Sequence, residues 1–192
     1  MTDPSHLIAL QPTFCSRRHR RRPWALAIIG LAIMCVVSFL ALAQAHRGFF
    51  LVNDTSSEPP GLYVRSVGDP IRRGGLVAFM APSPAFPYAD QRSAFLHRTP
   101  IIKAVAAMAG DHVCTVGGSL VINGVRVAPI LLRDAHGLAL PHWIACRVLA
   151  PGELFAFSDR APNSFDSRYF GPVRAAFAQP YRPLVTTNGI GR

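Results

Sequence analysis

The sequence predicts a mainly β domain that follows a single N-terminal transmembrane helix. Three observations carry this. A run without any charged residue fills positions 24–45. Beyond it lie many short apolar runs separated by Gly, Pro and Asn-Gly turns. Helical periodicity is absent from that second part. At 192 residues the chain has room for one domain plus an appendage. The part beyond the apolar run is long enough to bury one sizeable core.

The N-terminal 23 residues contain Arg17, Arg18, Arg20, Arg21 and Arg22, directly before the apolar run. Basic residues in that place mark the cytoplasmic side of a membrane span. The formal net charge is +10. Residues 1–47 carry six Arg and one Asp, and residues 48–192 carry fourteen basic and nine acidic side chains, so each part holds +5. A basic chain invites a nucleic-acid reading, but this distribution reads as a topology signal. No direct nucleic-acid contact is expected.

The run from Trp24 to Ala45 would cover about 33 Å as a helix, against a hydrocarbon core of about 30 Å. Trp24 suits the cytoplasmic interface. A cleaved signal peptide is the rival, since Ala43-Gln44-Ala45 has the small-x-small form of a cleavage site. The length of the run, and of the segment before it, favours a retained anchor. Either reading puts the remainder outside the cytoplasm, which in a bacterium is the periplasm, where disulfides form. The expected division is 1–23 cytoplasmic, 24–45 a single-pass anchor in the inner membrane and 46–192 periplasmic.

Four cysteines are present. Cys15 precedes the apolar run and Cys35 lies within it. Cys114 and Cys146 lie in the exported part, and a disulfide is the favoured reading. A zinc set of His112, Cys114, His142 and Cys146 lacks the tight CxxC spacing of structural sites. No metal and no cofactor is expected.

Along the exported part, Phe49–Val52 and Leu62–Arg65 read as strands around a turn-rich stretch, 53–61. Leu76–Met80 reads as a third strand, after Gly74-Gly75. Residues 81–100 hold Pro82, Pro84, Pro87 and Pro100 and read as an irregular surface excursion. Ile101–Val105 is strand-like. Val113–Val116, Ser119–Ile122 and Val125–Val127 alternate with Gly117-Gly118 and Asn123-Gly124 turns, a hairpin signal. Residues 128–150 are ambiguous. Glu153–Phe157 is a strand, 158–168 a polar loop, and Tyr169–Val173 a closing strand-like stretch. The whole reads as sandwich- or barrel-like.

Two residues suggest chemistry. Lys103 is the only lysine in a chain with twenty Lys and Arg residues. Its neighbours Ile101, Ile102, Ala104, Val105, Ala106, Ala107 and Met108 are apolar. Burial among them would lower its pKa by penalising the charged form. Arginine cannot replace lysine as a base, because it does not deprotonate. A snorkelling lysine on a strand edge is the alternative. Ser57 sits in the sharp turn between two strands, where a hydroxyl is well presented. A serine hydroxyl needs a base to become a nucleophile.

Several segments, in order, resemble type I signal peptidases, specifically the conjugative-transfer branch of TraF peptidases. Asn53-x-Thr55-x-Ser57-x-Pro59-x-Gly61-x-Tyr63 is similar to the nucleophile box. Leu76–Met80 resembles the following strand. Ile102-Lys103 through Gly110-Asp111 resembles the lysine box. Ser158-Asp159-Arg160 and Ser164–Gly171 resemble the last box. The resemblance spans residues 50–173 and implies a signal-peptidase-like β domain. It further implies that Ser57 attacks the scissile carbonyl and Lys103 is the general base. The Ser57 N–H and the Thr55 hydroxyl would form the oxyanion hole. Ser164 would orient Lys103, and Asp166 with Arg168 would form a supporting ion pair.

The implied activity is processing, with possible cyclisation, of a conjugative pilin precursor. The implied partners are pilin or another preprotein, membrane lipid and the conjugative transfer (type IV secretion) machinery. Ala107, Ala109 and Ser158 depart from the family's usual Gly and Pro at those places. Ser56 is a rival nucleophile under S-x-x-P spacing, although the alternating register favours Ser57. A general leader peptidase and a non-catalytic pilus-assembly scaffold are the alternative functions.

Overall fold

The computed structural model describes residues 23–45, 48–92 and 94–187. The arginine cluster at 17–22 and Cys15 lie outside the described residues. The chain divides after Ala45 into two compact units. In the first, helix α1 spans Pro23–Ala45. Its described side chains, Trp24 and positions 26–38, are all exposed. Among the described residues no helix is long and apolar enough to cross a membrane.

The second unit is mainly β, as the turn spacing predicts. Its strands are β1 (Phe50–Asn53), β2 (Gly61–Arg65), β3 (Leu76–Phe79), β4 (Ile101–Met108), β5 (His112–Cys114), β6 (Ser119–Ile122), β7 (Val125–Pro129), β8 (Cys146–Val148), β9 (Glu153–Phe157), β10 (Val173–Arg174) and β11 (Gln179–Thr186). They form a seven-stranded sheet, β1-β2-β11-β3-β4-β9-β10, and a four-stranded sheet, β7-β6-β5-β8. Every ladder is antiparallel.

Strands β4 and β9 lie inside the large sheet and are buried on both faces. Val105, Leu154 and Ala156 join one apolar cluster with Val77, Phe79 and Phe170. Ala107, Phe155 and Phe157 join a second with Val113, Leu120 and Leu149, beside the small sheet. Successive residues of a strand point to opposite faces, so a strand sandwiched between two clusters is apolar throughout. This explains why β4 is apolar except for Lys103, and β9 except for Glu153 at its start. The β4–β9 register slips between Val105 and Ala107, leaving Ala106 as the extra residue of a bulge.

The structure corrects four sequence readings. Residues 81–100 are not wholly irregular. They carry a 3₁₀ turn at Ser83–Ala85, helix α2 (Tyr88–Arg92) and a second 3₁₀ turn at Ala94–His97. Strand β4 runs three residues further than Val105. Tyr169–Val173 is not a strand except at Val173, where β10 begins. Asp166 caps helix α3 (Ser167–Phe170) by accepting the Arg168 N–H, and Gly171, at φ +83°, ends it. Strand β11 has no counterpart in the sequence reading, because Pro180 and Pro183 obscure its pattern. Gly61 explains how β2 and β11 approach so closely. A Cβ there would collide with the Val185 carbonyl oxygen and lie 2.7 Å from Thr186 Cα.

The junction of the two sheets is braced by Asp111, after β4. Its Oδ2 accepts the Met108 N–H at 2.7 Å and its Oδ1 the Asn123 Nδ2–H at 2.8 Å, and Arg73 pairs with it. Burial alone would raise its pKa, but the bonds from Asn123, Met108 and Arg73 outweigh that and hold it below the ordinary carboxylate value. A folded pKa below the unfolded one gives stability that is present above the unfolded pKa and lost as pH falls through the folded pKa. We therefore expect Asp111→Ala to lower unfolding free energy by about 1–3 kcal/mol at neutral pH. The deficit should shrink in acid below pH 4, roughly where a free carboxyl protonates, as measured by urea denaturation at both pH values.

Candidate active site

The turn between β1 and β2 is held from inside by one side chain. Asn53, buried at the end of β1, donates from Nδ2 to the carbonyls of Thr55 at 3.1 Å, Glu58 at 2.9 Å and Pro59 at 3.3 Å. Its Oδ1 accepts the Thr55 N–H at 3.2 Å and the Thr55 hydroxyl at 2.7 Å. Two further bonds fix the turn from outside. The Tyr63 hydroxyl donates to the Pro59 carbonyl, and the Ser158 hydroxyl to the Ser57 carbonyl. An Asx-braced turn of this kind presents its apex residue rigidly. That residue is Ser57, which is 8% exposed.

Lys103 reaches the same point from β4. Alternation puts it on the face of Ile101 and Val105. It is 4% exposed. Its Nζ lies 2.6 Å from Ser57 Oγ and donates to the Ile102 carbonyl at 3.0 Å. Burial pulls the ammonium below the ordinary lysine range; Asp166 and Glu58 oppose this, and Arg168 adds to it. The snorkelling alternative fails here, because the amine is enclosed rather than directed to water. Ser56, the rival serine, is exposed and lines the same cavity. Ser57 is the serine that hydrogen-bonds Lys103.

Thr55 is exposed, and its Oγ1 lies 3.3 Å from Ser57 Oγ. Its hydroxyl hydrogen is committed to Asn53, so donation to another oxygen needs that bond to open. The geometry departs from expectation at Ser164. Ser164 shares a cavity with Lys103 and Ser57. Its Oγ is buried and makes no hydrogen bond among the described residues, so the expected bond to Lys103 is not formed in this arrangement.

Asp166 and Arg168 form a bidentate pair, Nε to Oδ1 at 2.9 Å and Nη2 to Oδ2 at 2.9 Å. Both are essentially fully buried, at 0% and 1% exposed. Arg168 also donates to the carbonyls of Pro129 and Ser164, each at 2.9 Å. Its guanidinium lies 4.9 Å from the centre of the Phe157 ring. The pair thus ties the last box to the end of β7 and to Ser164. Sequence reasoning did not single out Asn53, Glu58 or Ser158 for a role. All three sit inside the boxes it quoted, and their burial is the signal that only folding supplies.

The cavity measures about 430 Å³ and is lined by Ser57, Lys103, Tyr88, Leu96, Ala161 and Phe165 among others. Its wall therefore includes the excursion at 81–100. Far from it in sequence, Cys114 and Cys146 are disulfide-bonded across the β5–β8 ladder. His112 lies beside both sulfurs, at 3.8 Å from each. Cysteine binds metal as a free thiolate, and these sulfurs are bonded to each other. His142 is exposed and outside this group.

Comparison with known proteins gives one consistent picture. The family model described as "Signal peptidase, peptidase S26" matches residues 21–177. A conjugal transfer protein TraF of Agrobacterium tumefaciens is 36% identical over 175 residues, covering 81% of this chain and 90% of that protein. A plasmid transfer protein TraF of Escherichia coli is 31% identical over 180 residues, covering 88% and 98%. A probable conjugal transfer protein TraF of Sinorhizobium fredii is 30% identical over 171 residues, covering 84% and 88%. A signal peptidase I of Enterococcus faecalis, known from a crystal structure, aligns at 24% identity and a TM-score of 0.33, covering 59% of this chain and 96% of that one. That likeness is too loose to carry an argument.

Removing one partner of a buried ion pair strands the other. We expect Arg168→Ala to destabilise the fold by about 3–5 kcal/mol. The apolar double variant Asp166→Leu with Arg168→Met should recover part of that loss. Urea denaturation followed by tryptophan fluorescence checks both.

Proposed function

The chain belongs to the signal peptidase family, peptidase S26, and from that premise we propose that it is a membrane-anchored serine endopeptidase with a Ser57–Lys103 dyad, acting on a pilin precursor in conjugative transfer. The single observation that carries the dyad is the 2.6 Å approach of Lys103 Nζ to Ser57 Oγ, in surroundings that disfavour the ammonium. The names of the TraF relatives support the conjugative role.

The chemistry follows from the geometry. Neutral Lys103 accepts the Ser57 hydroxyl proton as Oγ attacks the scissile carbonyl. The developing oxyanion takes hydrogen bonds from the Ser57 N–H and from the Thr55 hydroxyl once it releases Asn53. Collapse of the tetrahedral adduct breaks the C–N bond, and Lys103 returns the proton to the departing amine. An acyl-enzyme on Ser57 is left. Water releases it as a carboxylic acid, and an amine releases it as an amide. If that amine is the pilin's own N-terminus, the product is cyclic. Ser164, whose hydroxyl is unpartnered in the same cavity, orients Lys103 when substrate is bound. Asp166 and Arg168 hold Ser164 in place through its carbonyl.

Residues 24–45 serve as the inner-membrane anchor, with the N-terminus cytoplasmic and residues 46–192 periplasmic. The Cys114–Cys146 disulfide suits an oxidising compartment. Lipid would surround the anchor, and the transfer machinery would supply the substrate.

Ser57→Ala and Lys103→Arg should each lower precursor processing by roughly 10³-fold or more while the protein still accumulates in the membrane. Co-expression with candidate pilin precursors and mass spectrometry of the product checks this. A product lighter than the hydrolysed form by one water, about 18 Da, identifies release by an amine. Normal processing by both variants would favour a non-catalytic scaffold instead.

A further inference from the structure

Glu58 is a buried ionisable group that this mechanism leaves unused. It follows the nucleophile directly, is 5% exposed, and does not line the substrate cavity. Its Oε1 accepts the N–H of Ala104 at 3.2 Å, and Ala104 follows the base directly. Ala104 lies near the end of the β4–β9 ladder. Ala104 stands opposite Phe157, the last residue of β9. Nucleophile turn and base strand are therefore joined twice. Ser57 meets Lys103, and one residue on, Glu58 meets Ala104.

Glu58 also carries charge into this region. The charged and titratable groups whose fields act on it or feel its own are Lys103 from β4, Arg160 and Asp159 from the loop after β9, and Tyr63 from β2. Burial pushes its carboxyl above the ordinary range, while Lys103, the Ala104 N–H and Arg160 act against that. An ionised Glu58 in turn favours the charged form of Lys103, as Asp166 does, whereas Arg168 disfavours it. Burying a carboxyl without need costs free energy. An apolar residue would fill this position more simply, so the carboxyl calls for a reason.

We propose that Glu58 is a positioning residue for the proposed dyad: its carboxylate clamps the nucleophile's turn to the base's strand through the Ala104 N–H, and its negative charge acts on the amine of Lys103. The proposal rests on the Ser57–Lys103 reading given above. The two halves separate by substitution. Glu58→Gln keeps an acceptor for Ala104 and removes the charge. Glu58→Ala removes both.

The test uses the full chain in detergent micelles, labelled with carbon-13 at the lysine ε position. Lys103 is the only lysine, so its titration appears as a single side-chain resonance. The midpoint in Glu58→Gln should fall below that of the wild type, because a carboxylate that favours the ammonium has been removed. In cleavage of a precursor peptide, Glu58→Gln should keep kcat within about threefold of wild type above its midpoint. Glu58→Ala should lose roughly 10- to 100-fold in kcat with KM little changed, since sub-ångström displacement of a reacting pair costs that much. Coincident midpoints in wild type and Glu58→Gln, or a folded Glu58→Ala variant with wild-type kcat, would overturn the proposal. If Glu58→Ala does not fold, the Glu58→Gln titration decides alone. A shifted midpoint in a protein that cleaves nothing would uphold the action of Glu58 on Lys103 and defeat the peptidase reading, so the two failures are distinguishable.

Discussion

A lone lysine buried in the middle of a β-sheet is the constraint to which much of this structure answers. A buried ammonium is costly, and a protein that keeps one must either pair it or let it lose its proton. Lys103 meets a serine hydroxyl and one backbone carbonyl, with no carboxylate in direct contact among the described residues. That surrounding favours the neutral amine. It also explains why β4 lies inside the sheet, between β3 and β9, with apolar clusters on both faces. An edge strand would leave the amine in water.

Keeping the amine near Ser57 needs a rigid partner. Asn53 supplies this by bonding five groups of the turn that carries Ser57. Ser158 and Tyr63 hold the same turn from neighbouring segments. On the far side, the buried Asp166–Arg168 pair fixes the loop that brings Ser164 to the cavity. Buried ion pairs contribute little net stability against an apolar replacement. Their contribution here is placement. Arg168 reaches β7, the Ser164 carbonyl and the Phe157 ring at once, which a shorter or apolar side chain could not do.

Much of the fold was legible because its signals are local. Asn123-Gly124 marks the β6–β7 hairpin, and the alternation of turns with short apolar runs located β1, β2, β3, β6 and β9 within a residue or so. What escaped depends on contacts distant in sequence. Strand β11 contains Pro180 and Pro183 and pairs with β2 and β3, more than a hundred residues earlier. The segment at Tyr169 is aromatic enough for a strand, but the Asp166 cap turns it into helix. At the site, the alternating register singled out Ser57 over Ser56, and composition singled out Lys103. Their 2.6 Å approach, the braces from Asn53 and Ser158, and the burial of Glu58 are products of folding. The Ser164–Lys103 bond, expected by resemblance, is not formed.

The proton state of Lys103 decides whether this arrangement is chemistry or only packing. The most direct measurement is the pH dependence of single-turnover acylation of Ser57 by a precursor peptide, using the full-length protein. A neutral-amine base requires the rate to rise with pH through a single limb lying below the ordinary lysine value of 10.5, and Lys103→Ala should abolish the limb. A limb at or above that value, or an unchanged profile in Lys103→Ala, would contradict a role for Lys103 as the base.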